Sequence, residues 1–153
     1  MQIISMIILG AICGLVGAFA MTSFMRSVSA AYSKRVDMVR ALGSFFTKKT
    51  EGAERLGAAI HAVSGVVFGI IYLAVFNAMG LLAFPSALFL GLGFGFFHGL
   101  FMSYCLMFVA SEHHPLEEYK KATLEEGLLH LVGHLIFGGV TGLLGGLFIS
   151  LMG

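Results

Sequence analysis

The strongest constraint on this chain is where its charges are absent. No Asp, Glu, Lys or Arg occurs in residues 1–25, 56–111 or 127–153. The charged residues fall in two segments, Arg26–Arg55 and Glu112–Glu126. Uncharged stretches this long have no place in an ordinary soluble domain, where about a quarter of residues are charged. Here 58% are hydrophobic and 11% charged. The chain therefore reads as all-α, an integral membrane four-helix bundle in a lipid bilayer. A helix needs ~20 apolar residues to cross. That places spans at about 3–25, 56–79, 84–110 and 128–151, in one domain over 1–153. The loops at 26–55 and 111–127 hold the charges. Asn77, Gly80 and Pro85 mark the turn between spans two and three.

All nine Lys and Arg lie in the two charged segments. The positive-inside rule then puts both loops in the cytoplasm and both termini outside. Ala18-Phe-Ala20 has the look of a signal cleavage site, but no basic stretch precedes it and the apolar run exceeds a signal core. A retained span is expected. The net charge of +1 gives no sign of nucleic-acid binding. Cys13 and Cys105 fall in different spans at different depths, so no disulfide is expected.

Along the spans, small residues recur at helical spacing. Gly10 and Gly14, Gly65 and Gly69, Gly91 and Gly95, and Gly138 and Gly142 form stripes suited to close helix packing in lipid. Between spans one and two, Val36, Val39, Leu42 and Phe46 alternate with Lys34, Arg35, Asp37 and Arg40. This pattern predicts a short amphipathic helix at the membrane surface over 34–46. Thr123 followed by Glu126 fits an N-capping box for span four.

The spans also resemble one another. Shifting span two by 69 residues superposes His61 on His130, Phe68 on Phe137 and Gly69 on Gly138. Shifting span one by 81 superposes Gly10 on Gly91, Gly14 on Gly95 and Met21 on Met102. The expectation is two similar helical hairpins in parallel, related by an axis along the membrane normal. Two positions break the match. His98 stands where Gly17 stands in the first copy, and His134 where Gly65 stands.

Histidines within spans are costly and invite a functional reading. Glu126, His130 and His134 share one helical stripe with Phe137 and Thr141. At ~1.5 Å per residue from the cytoplasmic span ends, His130, Met21, His61, Cys105 and His134 lie at ~6, ~8, ~9, ~10 and ~12 Å. One layer could thus gather His61, His130, His134, Cys105 and Met21 as a transition-metal site, with His98 deeper at ~21 Å. Imidazole suits copper or zinc, and thiolate and thioether favour Cu(I). Glu112 and Glu126 would be outer partners that orient the ligands. The ~9 Å offset between His98 and His134 disfavours haem. The alternative is that a carbonyl, Ser64, Tyr72 or Thr141 satisfies these rings, and they serve packing alone. His113 and His114 lie in a charged loop and are expected to be solvated.

Gly10–Met25, with glycines leading into Ala-Met-Thr-x-x-Met, resembles the first span of small prokaryotic membrane proteins of the YagU type. Glu112-His-His-Pro115 and Gly133-His-Leu-Ile-Phe-Gly138 are similar to a related group with four spans. The resemblance implies a four-helix protein of the prokaryotic inner (plasma) membrane and offers no catalytic residues. No HExxH pattern, phosphate-binding glycine loop or Ser-His-acid set is present. The functional expectation is a non-enzymatic accessory or scaffold subunit of a larger membrane complex or homo-oligomer, with a possible copper or zinc site. The alternative is a small oligomeric transporter or proton pathway built on the histidines.

Overall fold

The computed structural model of the protein describes residues 3–32, 37–121 and 123–152. Every regular element among them is helical. The order is α1 (Ile3–Tyr32), α2 (Met38–Thr47), α3 (Ala53–Ala78) and α4 (Ser86–Cys105). A π-turn over Leu106–Ala110 carries α4 into the short α5 (Ser111–His113). A 3-10 turn at Glu117–Tyr119 then precedes α6 (Leu124–Met152). Four helices are long and apolar enough to cross a membrane: α1, α3, α4 with its continuation, and α6. Their outer faces carry Phe19, Phe89, Phe97 and Phe101, each at least 65% exposed, which lipid tolerates and water would not.

The helices overrun the predicted spans. α1 continues from Met25 to Tyr32, and α6 starts at Leu124 rather than 128. Charge ends a membrane span, but it does not end a helix. Arg26 on α1 pairs with Glu54 on α3 at 2.9 Å, in the exposed extension. At the head of α6, the Glu126 N–H donates to Thr123 Oγ1, and the Thr123 N–H donates to the Glu126 carboxylate at 2.7 Å. This is the reciprocal capping box.

Packing follows the glycines. α1 lies between α3 and α6, α4 packs along α6, and α3 and α4 barely touch. Within the first hairpin, a methyl group on Gly14 would lie 2.7 Å from the Gly69 Cα, and one on Gly10 would lie 2.7 Å from the Ile70 Cα. Within the second, one on Gly138 would lie 2.9 Å from the Gly95 Cα, and one on Gly142 would lie 3.2 Å from the Gly91 Cα. The backbones are in contact, so no side chain fits between them. Gly14–Gly69 and Gly95–Gly138 are related by the same 81- and 69-residue shifts that align the spans.

The surface helix is α2, Met38–Thr47. Lys34, Arg35 and Val36, which the sequence pattern included in it, lie outside the described residues. Asp37 caps it, accepting the Arg40 N–H at 2.9 Å. Its packed side is Ala41, Gly43 and Ser44, whereas Phe46 is exposed. Gly43 meets the Ala53 carbonyl and Gly57 meets the Val39 carbonyl, so α2 is clasped to the first turns of α3 through backbone. At the opposite end, the Phe84 N–H donates to Ser150 Oγ at 3.0 Å, which ties the α3–α4 turn to α6.

Gly14→Val should separate α1 from α3, costing about 1–3 kcal/mol through overpacking. A lowered unfolding midpoint in detergent, against an unchanged midpoint for Gly93→Ala in open space, checks this.

Candidate functional site

The hairpins are not packed symmetrically. Gly17 lets α1 approach α6, and a methyl group there would lie 2.7 Å from Thr141 Oγ1 and 2.9 Å from the Phe137 carbonyl. The residues related to these three by the shifts are His98, Tyr72 and Phe68. His98 Nδ1 is hydrogen-bonded to the Tyr72 hydroxyl at 3.1 Å, and its ring centroid lies 4.1 Å from that of Phe68. An imidazole therefore stands between α3 and α4 where a hydrogen stands between α1 and α6. That ring lies between the pair. The two helices meet through a layer of His98, Phe68, Tyr72, Phe76 and Phe94.

On the α2 side of that layer lies a cavity of about 630 Å³. α1 contributes Met21 and Met25, and α3 contributes His61 and Ser64. α4 supplies His98, Met102 and Cys105, and α6 supplies His130 and His134. α2 closes the near end with Ala41 and Phe45. The sequence-predicted residues His61, His98, His130, His134 and Cys105 all line this one space, as does Met21.

Three of the rings are in contact. His130 and His134 have centroids 4.6 Å apart, and His134 and His98 4.7 Å apart. This contact replaces the ~9 Å offset expected from rise along each span, which took no account of how the two helices tilt and register against each other. His134 Nδ1 lies 2.9 Å from the His130 carbonyl. A carbonyl only accepts, so Nδ1 carries the proton and Nε2 keeps its lone pair in the neutral ring. His61 Nε2 and His130 Nδ1 are buried and have no hydrogen-bond partner. Thr141 does not serve the histidines; its hydroxyl donates to the Phe137 carbonyl at 2.8 Å.

Neither glutamate reaches these rings. Glu126 is engaged in the α6 cap, and Glu112 is exposed, 3.9 Å from the exposed His113. The orienting groups are instead the His130 carbonyl and the Tyr72 hydroxyl. Among the described residues, no three His, Cys, Asp or Glu side chains converge as a metal-ligand group.

His114 also departs from expectation. It is 2% exposed rather than solvated. The Leu116 N–H donates to its Nδ1 at 3.1 Å, so Nε2 bears the proton and donates to the Ala41 carbonyl at 3.0 Å. Phe45 and Tyr119 cover the ring. The available signal was Pro115, which holds the preceding residue extended and turns its side chain back under α4.

No protein-family model, curated protein or solved structure matches the chain. The fold and its composition define a multi-pass membrane protein. What it carries inside the bundle is a histidine-lined cavity.

The cavity predicts unequal thiols. Cys13 is 2% exposed in the core, while Cys105 is half-buried on the cavity wall. A small membrane-permeant maleimide should modify Cys105 at least about tenfold faster than Cys13, as mass spectrometry of the peptides would show.

Proposed function

We propose that this protein is a non-enzymatic membrane module that holds a transition-metal ion, copper or zinc, among its intramembrane histidines. The observation that carries the proposal is the pair of buried, unpartnered ring nitrogens, His61 Nε2 and His130 Nδ1. A buried polar atom without a partner costs about 1–3 kcal/mol. Two of them on one cavity call for a shared occupant. Support also comes from His134, whose Nδ1–H is fixed by a carbonyl. Ligating histidines are held this way, because the outer hydrogen bond sets the tautomer and aims the free nitrogen.

An accessory role in a larger assembly belongs to the same proposal, but the glycine faces do not supply the contact. Gly10, Gly14, Gly65, Gly69, Gly91, Gly95, Gly138 and Gly142 are all occupied within the chain. A partner subunit would meet the aromatic outer faces instead.

Elemental analysis of detergent-purified protein tests the metal. Wild type should carry copper or zinc in proportion to the chain, and His61→Ala/His130→Ala should carry none. A metal-free wild type removes the proposal. The distribution of Lys and Arg supports both ends lying outside the cytoplasm. A reporter that is active only outside, fused after Gly153, should be active, and one fused within the α2–α3 turn should be silent.

A further inference from the structure

We infer that the ion is soft and monovalent, Cu(I), and that the Met21 thioether joins His61 and His130 as its ligands. This rests on the metal proposal above and specifies the ion.

Charge is the first argument. Besides apolar side chains, the cavity is lined by imidazoles and thioethers, which bind a metal as neutral ligands, and by one thiol. The charged residues lining the cavity are Arg26, Asp37 and Arg40, where α1 and α2 close its near end. Neutral ligands leave the full ionic charge in an apolar bundle. The transfer cost scales with the square of charge, so a divalent ion pays roughly fourfold more than a monovalent one.

Ligand number is the second. Structural Zn(II) asks for four ligands in a tetrahedron. The described residues bring together no three His, Cys, Asp or Glu side chains. Two imidazoles completed by a thioether form a low-coordinate soft set, which suits Cu(I).

Placement is the third. α1 runs between the helix bearing His61 and the helix bearing His130. Met21 is 3% exposed there and lies against Gly133, between His130 and His134 in sequence. A methyl group on Gly133 would lie 3.2 Å from Met21 Cε and 3.6 Å from Met25 Sδ. Both thioethers thus follow one face of α1 toward the α2 end of the cavity. A methionine that only filled space would tolerate exchange for leucine, because the volumes match.

The test is metal titration of the purified full chain under reducing, anaerobic conditions, with a chromophoric Cu(I) chelator as competitor. Wild type should bind Cu(I) stoichiometrically, Ag(I) should displace it, and Zn(II) should not. Met21→Leu, with an unchanged unfolding midpoint, should weaken Cu(I) binding at least about tenfold. Exposed Met152→Leu should not. X-ray absorption at the copper edge should show nitrogen and sulfur neighbours, with the sulfur lost in Met21→Leu. Unaltered Cu(I) affinity in Met21→Leu overturns the thioether assignment. Stoichiometric Zn(II), lost in His61→Ala/His130→Ala and not displaced by Cu(I), overturns the assignment of the ion while the metal proposal stands. Binding of neither ion overturns both.

Discussion

Everything in this structure depends on backbone touching backbone at glycine. Lipid tails are as apolar as leucine, so burying a side chain between two spans gains little from the hydrophobic effect. What remains is dispersion, and dispersion is strong only at close range. Gly14 on Gly69 and Gly95 on Gly138 bring the helices of each hairpin to that range. Gly43 and Gly57 do the same for the surface helix on α3. Each hairpin is thereby a stiff unit, and the interesting freedom lies between hairpins.

That freedom is used unequally. One inter-hairpin seam, α1 on α6, is closed at Gly17. The other, α3 beside α4, carries His98 against Phe68 and Tyr72. The packed seam thus has a glycine at its centre and the seam with the cavity has an imidazole. His98 also places an imidazole on the cavity wall, in contact with His134. His134 extends the histidine row toward His130.

Much of this was legible in the sequence, for a definite reason. The segregation of charge marks the spans, because a bilayer excludes charge from any residue it contacts. Glycine spacing marks the packed faces, because close approach in lipid admits little else. The capping box at Thr123 and Glu126 is local and can be read directly. Less visible were features set by three-dimensional register. The relative depth of residues on two helices depends on their tilt and register, which the sequence does not give, so the contact of His98 with His134 was missed. The glutamates seemed to be outer partners because they share a helical stripe with the histidines, but Glu126 turns back to its own helix end. His114 looked solvated because its neighbours are charged; its burial depends on α2, far away in sequence. The unpartnered nitrogens of His61 and His130 had no sequence signal at all.

The hydrogen bond from His114 to the Ala41 carbonyl has a mechanical consequence. α2 is fused to the first hairpin by its glycine clasp, and His114 belongs to the second. The bond therefore bridges the two halves at the end where α3 and α4 diverge. Phe45 of α2 meets the same His114 ring edge-on, so the crossing is both polar and aromatic. A short helix lying across the spans thus fastens one hairpin to the other at the α2 end of the cavity.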